Sequence, residues 1–513
     1  MFQTKRLKFY YPPAFYCCFL LLFFIAEKSY GQKQKIEILN AKRLNSAERN
    51  GQTARKLTGD VKLRQGDLTL NCDSAYFYTN INAVDAFGNV HIQRGDSLDI
   101  YSDSLKYDGE SREVRFFENV HLRESRLNLD TRLLYYDIKN EIARYYEGGH
   151  VYNDDIDLNS KRGYYYTSSK KAFFKDSVVL ISDDYTIYSD TLEYQYAIER
   201  LVFHGPSNII SEQNHIYCES GWYDTPTGKS TFGKNTVLRS EGQYLESDSL
   251  YYEQETDYGI SYDRFLWKDD SLGIILNAYY AEFYRKKDEI HATDSILLIY
   301  IMDMDSLFLT SDSLETGRDS ISGKQEMNAF HDVVFFKSDL QGRCDSLFFS
   351  FGDSTIRMFY DPVLWSSVNQ LTGDTIAIRL KNNKVDEVDL LKNGFIISEA
   401  DEEHGFYNQI KGRNIYGYFR NNELHKMLVK GNGESVYYGK DEQEAYIGIN
   451  KALCSNMWIY LQNQEVSRIS FLQKPDAAFT PIQKIHPDDF LLKDFIWRPD
   501  ERPASKEAIY QER

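Results

Sequence analysis

Four groups of side chains in this sequence are candidates for chemistry. Residues 225–230 end like a phosphate-binding loop, in which glycine backbone N–H groups cradle phosphate oxygens. That motif needs glycine at position 223, where this chain has Tyr223, so nucleotide binding is not expected. Asp303 and Asp305 are spaced like a paired acid and base, but most such pairs on a strand are solvated surface groups.

The cysteines and histidines form the remaining groups with chemical potential. Cys72, Cys218, Cys344 and Cys454 share one small-residue position of a repeat, in which neighbouring copies would lie about 9–10 Å apart. Because no two of them are in adjacent copies, we expect neither a disulfide nor a metal site. The ten histidines show no metal-binding spacing. The sequence therefore predicts no enzyme, no metal and no cofactor.

The composition defines the class of protein that must position these side chains. The chain has 513 residues and a net charge of −17, which argues against binding nucleic acid through phosphate neutralisation. Forty tyrosines and 31 phenylalanines, against ten prolines, favour strands because aromatic rings suit a pleated, half-buried surface. A mean hydropathy of −0.53 excludes a multi-span membrane protein.

An internal repeat of about 29 residues organises most of the chain. Its small residues follow one another after 30, 29, 29, 29, 29 and 29 positions: Cys72, Ser102, Thr131, Ser160, Ser189, Cys218 and Ser247. The copies are regular as far as Tyr252, and looser copies continue to about Ile459. A repeat of this kind predicts one supersecondary unit stacked many times.

Two columns of apolar side chains follow from the repeat. The first column consists of Leu70, Ile100, Leu129, Leu158, Ile187, Ile216 and Leu245. The second column consists of Phe77, Tyr107, Tyr136, Tyr165, Tyr194, Tyr223 and Tyr252. We expect both to line the interior of the stack, either as a solid core or as the walls of a groove that accepts a ligand. The residues alone leave both interpretations open.

The alternation within a copy predicts the shape of its strands. Apolar residues alternate up to the small residue, and the alternation then slips by one position, so the strand must bend there. A second strand, which contains Gly59 and Val61 or Gly88 and Val90, precedes each bent strand. The predicted fold is all-β, an elongated, V-shaped β-jellyroll of stacked antiparallel bent strands. The aspartates beside the bends, such as Asp73, are expected to cap turns.

The start of the chain has the pattern of an export signal. Three basic residues among the first eight precede an apolar run at residues 14–26, which is too short to span a bilayer. Ser29 and Gly31 supply the small residues of a cleavage site. Residues 1–31 are therefore predicted to be a signal peptide, and the mature chain is expected in the periplasm, where association with the outer membrane is compatible with the sequence.

The remaining organisation is assigned from the regularity of the repeat. Residues 32–56 form a polar lead-in, with a short helical segment expected at 41–47. Regular repeats occupy residues 57–285, and less regular repeats occupy 286–460. Residues 461–513 form a proline-rich tail, expected either to cap the open sheet edge or to dock a partner.

The export signal, the Gly-x-Val strands and the bent strands at this period together resemble the OstA-like family. That family includes the periplasmic lipopolysaccharide-transport protein LptA and the N-terminal domain of its outer-membrane partner LptD. The resemblance is clearest from Gly59 to Tyr252. It implies a hydrophobic groove that shields the acyl chains of lipopolysaccharide (lipid A), and partners among the transport proteins of the inner and outer membranes, reached through the sheet ends. This chain is far longer than LptA and lacks the barrel of LptD.

Three functions compete at this stage. The first is a lipid carrier or bridge that takes lipopolysaccharide to the outer membrane during its assembly. The second is an exported structural or adhesion stack with a solid core and no ligand. The third, a carbohydrate-active enzyme that uses surface carboxylates, is disfavoured by the apolar columns. Whether the interior opens as a groove discriminates between the first two.

Overall fold

The structure, a computed structural model, describes most of the chain: residues 35–96, 98–124, 127–302, 305–382, 384–420, 423–462, 465–473 and 475–511. The predicted signal peptide lies outside the described residues. The chain divides into two units, each described here by itself. The first comprises Met1–Ser125 and Arg132–Asn140, and the second comprises Arg126–Thr131 and Glu141–Arg513.

Strands make up almost all of the regular structure, which confirms the predicted all-β class. The first nineteen are β1 Glu37–Asn40, β2 Arg43–Arg49, β3 Gln52–Gln65, β4 Leu68–Tyr78, β5 Ala83–Arg94, β6 Leu98–Asp108, β7 Glu113–Glu124, β8 Leu127–Asp137, β9 Ile142–Tyr145, β10 Gly149–Tyr152, β11 Asp157–Ser160, β12 Arg162–Tyr166, β13 Lys171–Ile181, β14 Tyr185–Gln195, β15 Arg200–Phe203, β16 Ser207–Ser211, β17 Asn214–Cys218, β18 Ser220–Asp224 and β19 Lys229–Ser240.

The remaining strands are β20 Gln243–Glu253, β21 Tyr258–Asp269, β22 Ile274–Ala278, β23 Tyr280–Tyr284, β24 Glu289–Thr293, β25 Leu297–Ile301, β26 Ser306–Thr310, β27 Ser313–Arg318, β28 Gln325–Lys337, β29 Leu340–Ser350, β30 Thr355–Phe359, β31 Val363–Ser366, β32 Asn369–Thr372, β33 Thr375–Lys381, β34 Lys384–Asp401, β35 Phe406–Arg420, β36 Glu423–Lys440, β37 Tyr446–Gln462, β38 Glu465–Leu472 and β39 Asp476–Pro481. Among the described residues, helical turns span Arg285–Lys287, Ile482–Lys484, Pro487–Phe490 and Pro499–Glu501, and the helix α1 spans Ala508–Gln511.

Each copy contributes to two ladders, because its strands bend in the middle. The first half of β14 pairs with β16, and its second half pairs with β15, both antiparallel. We call the ladder that contains the Leu158 and Ile187 column the leucine ladder. The ladder that contains the Tyr165 and Tyr194 column is the tyrosine ladder. This arrangement confirms the predicted stack of bent antiparallel strands.

The bend itself is made by two successive left-handed residues on the returning strand. Gly88 has φ +76° and Asn89 has φ +43°, and the pairing register slips at this point. Asn89 Nδ2 donates a 2.9 Å hydrogen bond to Asp73 Oδ2 of the preceding bend. A Cβ atom at Gly88 would lie 2.4 Å from that same carboxylate oxygen, so only glycine fits beside it. The expectation that the bend aspartates hold turns is confirmed at Asp73.

The prediction of a helical segment at residues 41–47 is wrong. Arg43–Arg49 is the strand β2, and it pairs with β3 from Arg43 opposite Thr58 to Arg49 opposite Gln52. The hairpin turns at Asn50 and Gly51, which both have positive φ. Asn-Gly is the preferred pair for a two-residue hairpin, and this turn signal outweighs the helical propensity of the preceding residues.

After β39, the proline-rich tail lies along a face of the leucine ladder. The strands β38 and β39 both pair with β37 and continue the sheet. Beyond them, the buried Gln370 donates a 2.7 Å hydrogen bond to the Ile496 carbonyl and accepts one of 2.7 Å from the Arg498 N–H. Gln370 neighbours Leu371, which belongs to the inward column, so the tail covers the opposite, outward face.

Among the residues that the structure describes, no helix has the length and the apolar character needed to cross a bilayer.

Candidate functional site

In the second unit the leucine column is continuous from Leu129 to Phe335. Each member predicted from the sequence pairs with an apolar residue of the returning strand, as Leu158 does with Val151 and Leu180. Strand by strand the column reads Leu129, Val151, Leu158, Leu180, Ile187, Ile209, Ile216, Leu238, Leu245, Trp267, Leu276, Leu298, Leu309 and Phe335. The returning-strand members were missed. An apolar residue regularly stands two positions after the valine of the second strand of a copy, as Leu180 does after Val178. This regularity would have identified several of the missed members.

Several rings of the tyrosine column of the second unit lie opposite small side chains. Tyr165 lies opposite Ala143 and Ala172, and Tyr252 lies opposite Ser230 and Gly259. The small partners leave room for the rings on the inward face. After Tyr252 the column continues with Phe283 and Ile290.

Burial divides the predicted groove residues into two groups. Ten are buried: Ile100, Leu129, Leu158, Ile187, Leu245, Phe77, Tyr107, Tyr136, Tyr165 and Tyr194. Four are partly exposed: Leu70, Ile216, Tyr223 and Tyr252. A closed core would bury all of them, and an open groove would expose most, so the interior is packed in some copies and accessible in others.

The first unit brings both of its columns to one small cavity. Its lining includes Leu70 and Ile92 of the leucine ladder and Leu105, Tyr107 and Val114 of the tyrosine ladder, and its volume is about 50 Å³. The two ladders therefore face each other in this unit. A space of that size admits little more than a methyl-sized group or a water molecule, so these copies are essentially packed.

The early copies of the second unit are packed by Tyr145. Its ring lies against Gly149 and Gly163, and a Cβ atom added to Gly163 would approach it to 2.3 Å. Its hydroxyl is 2.6 Å from Ser160 Oγ on the leucine ladder. Burial raises the pKa of Tyr145 to about 12. Tyr145 therefore packs the interior beside the bend of this copy, because Ser160 is the small residue at which the strand bends.

The interior opens further along the second unit into a cavity of about 520 Å³. Leu238, Leu245 and Trp267 line it from the leucine ladder. Phe283 and Ile290 line it from the tyrosine ladder. Its volume falls within the range of about 300–1,000 Å³ found for ligand pockets, and a mostly apolar wall is typical of such pockets. We refer to it as the apolar cavity; of the predicted groove residues, Leu245 lines it.

Charged side chains of both signs surround the opening of the apolar cavity. Arg318 Nε donates a 2.7 Å hydrogen bond to Asp288, and its Nη1 donates one of 3.0 Å to the Gly323 carbonyl. Glu241 and Lys324 complete this mixed rim. A rim that already neutralises itself does not select strongly for the charge of a ligand, so the apolar wall dominates recognition.

Among the side chains with chemical potential, Cys72, Cys218, Cys344 and Cys454 are buried, and Asp305 accepts hydrogen bonds from Ser338. The four cysteines are free and buried, and burial raises the pKa of the Cys72, Cys218 and Cys344 thiols to about 12. Within the described ranges, no group of three or more histidine, cysteine or acidic side chains is placed to hold a metal ion. Asp303 lies outside those ranges.

Comparisons with known proteins agree with the fold. The family described as "OstA-like protein" matches residues 33–190, so the resemblance predicted from the repeats is confirmed for that part of the chain. Among solved structures, one match is LptH, the LptA homologous periplasmic component of the lipopolysaccharide transport device of Pseudomonas aeruginosa. It is 15% identical, covers 28% of this chain and 95% of its own, and has a TM-score of 0.22, which by itself carries no argument. A search of the curated proteins found no match.

Proposed function

We propose that this protein is a periplasmic carrier that shields the acyl chains of lipopolysaccharide between its two ladders during transport to the outer membrane. The observation that carries the proposal is the apolar cavity, because it is a space of ligand size that side chains of both ladders line. Burying an acyl chain there is favourable by about 0.8 kcal/mol for each methylene removed from water. No catalytic group is needed for this role.

The alternative, an exported structural stack without a ligand, is supported by the packed copies around Tyr145. It does not account for the apolar cavity, because a stack selected for stability alone gains from filling such a space. The packed copies fit the carrier equally well as rigid walls on either side of a site. The carrier proposal therefore explains both parts of the interior.

The ends of the sheet are suited to the expected partners. Among the described residues, β39 pairs with β37 alone, and its side chains are largely exposed. Exposed strand edges with unpaired N–H and C=O groups invite pairing with another strand. We propose that transport proteins of the inner and outer membranes bind at such edges.

Native mass spectrometry tests the carrier proposal directly. The full chain, exported in a lipopolysaccharide-producing bacterium, is expected to co-purify with lipopolysaccharide or lipid A. Leu272, in a turn that lines the apolar cavity, is replaced by tryptophan to fill the space. The matched control is Ile321→Trp, in a turn where the side chain is 95% exposed.

The carrier proposal predicts that Leu272→Trp loses most of the bound lipid at equilibrium, whereas Ile321→Trp retains it. Circular dichroism and thermal unfolding confirm that both variants remain folded. A wild-type chain that is ligand-free under gentle conditions would favour the structural stack. Equal occupancy of the two variants would remove the apolar cavity as the site.

A further inference from the structure

The two ladders meet at a row of contacts opposite the bend, where hairpin ends of one ladder approach hairpin ends of the other. We call this line of approach the mouth of the stack. In the first unit, Arg94 Nη1 of the leucine ladder lies 3.4 Å from the Tyr136 hydroxyl of the tyrosine ladder. Gln65 of the leucine ladder likewise bonds the Tyr107 hydroxyl. The column tyrosines therefore line the interior with their rings and close the mouth with their hydroxyl ends.

The second unit closes its mouth in the same way on the first side of the apolar cavity. The rings of Tyr185 and Tyr223, from opposite ladders, lie 5.6 Å apart edge to face. Arg285, beside the Tyr252 hydroxyl, extends across and donates a 3.1 Å hydrogen bond to Asn214 Oδ1 on the leucine ladder. Together these contacts form an upstream latch.

An aromatic contact closes the mouth on the other side of the apolar cavity. Tyr300 belongs to the leucine ladder, and Phe349 and Phe351 belong to the tyrosine ladder and the turn that follows it. The Tyr300 ring lies 5.5 Å from the Phe349 ring and 6.0 Å from the Phe351 ring, both edge to face. Together these rings form a downstream latch.

The cavity between the latches coincides with a change in the tyrosine column. At the position equivalent to Tyr223 and Tyr252 the next copy has Phe283, which has no hydroxyl to extend toward the opposite margin. Leu272 on the leucine margin and Lys324 on the tyrosine margin border the opening that results.

We infer that this opening, the side port, is where an acyl chain enters the stack laterally, and that the Arg285–Asn214 and Tyr300–Phe349 contacts are latches that limit its passage to neighbouring copies. The inference rests on the proposed carrier function and adds the route by which its ligand loads. The chemical class that fits the port is a single-chain or multi-chain acyl lipid that enters tail first.

Blocking the side port after purification tests the route separately from the site. Lys324 is exposed at the rim, so Lys324→Cys in the full chain can be labelled with a bulky polyethylene-glycol maleimide. Cys72, Cys218, Cys344 and Cys454 are buried, and Cys17 and Cys18 belong to the predicted signal peptide, so the maleimide is expected to react selectively. Lys384→Cys is the matched control, because it lies at an exposed hairpin end of the same ladder, away from the apolar cavity. The delipidated variants are mixed with lipid A micelles, and loading is followed by native mass spectrometry.

The side port predicts that labelled Lys324→Cys loads at least about tenfold more slowly than labelled Lys384→Cys. Label added after loading should leave the bound lipid A in place. Loading of labelled Lys324→Cys at the control rate would overturn the port while leaving the carrier function intact. A wild-type chain that takes up no lipid A at all would overturn both.

Opening a latch provides a second, opposite test. Asn214→Ala removes the acceptor of Arg285, and loading should become about threefold to tenfold faster, as the loss of one hydrogen bond allows. The matched control is Asn208→Ala, on a neighbouring strand, where Asn208 Oδ1 lies 3.0 Å from His215 Nε2. Loading of Asn214→Ala that is unchanged or slower than the control would overturn the latch.

Discussion

Replacing a leucine with alanine should cost more free energy of unfolding in a packed copy than at the apolar cavity. Leu158 is fully buried between Val151 and Leu180, whereas Leu245 is nearly buried but lines the apolar cavity. At about 0.8 kcal/mol for each buried carbon, leucine to alanine loses roughly 2.4 kcal/mol of transfer free energy. At Leu158 the void adds a cavity cost, for a total of about 3–5 kcal/mol. At Leu245 the removed atoms already face a cavity, so the total should stay near 2 kcal/mol.

Hydrogen exchange measures these costs locally, which matters because stacked repeats unfold in segments rather than all at once. The free energy of opening is compared between each variant and wild type for the amides of the substituted strand and its two partners. Ile181→Ala is the control, because that side chain is 49% exposed and should change the opening free energy by less than about 0.5 kcal/mol. If Leu158→Ala costs no more than Leu245→Ala, the distinction between packed and open copies is incorrect.

Two further predictions follow from the buried groups. In the unfolded chain the cysteine thiols lose their protons near pH 9, whereas folded Cys72, Cys218 and Cys344 keep theirs until about pH 12. The free energy of unfolding should therefore fall as pH rises from about 9 to about 12. Urea unfolding of a cysteine-to-serine variant should show a smaller fall over the same range. Gln409→Ala removes the acceptor of the 2.8 Å hydrogen bond that the Leu492 N–H donates. Trypsin should therefore cut the tail faster than in wild type. An unchanged cleavage rate would show that this hydrogen bond does not hold the tail.

The sequence carried enough information to predict the fold because each local signal repeats many times. The slip in apolar alternation beside Cys72 and Ser102 predicts a bend, and the structure places a register shift there. Gly88, which the sequence placed within the second strand, supplies the first of two left-handed residues. A single weak signal repeated at a fixed period is far more informative than the same signal met once.

The apolar cavity could not be predicted in the same way. Leu158 and Leu245 occupy equivalent positions in the repeat, yet one is packed and the other lines a cavity. The Tyr145 ring packs beside the bend of its own copy and reaches Ser160, whereas Leu245 has Phe283 and Ile290 of the other ladder across the apolar cavity. Facing residues come from distant parts of the chain, so periodicity within one strand does not reveal them. The hydrogen bonds between Gln370 and the tail could not be predicted for the same reason.

The energies of the latches are suited to a carrier that must both hold and release its ligand. A net hydrogen bond such as Arg285 to Asn214 contributes about 0.5–1.5 kcal/mol, and an edge-to-face ring pair such as Tyr300 and Phe349 contributes a similar amount. Each methylene that moves from water into the stack gains about 0.8 kcal/mol. Two methylenes therefore offset one latch, so an advancing acyl chain can open the mouth by its own burial. When the chain leaves, the same contacts reform and close the apolar surface away from water.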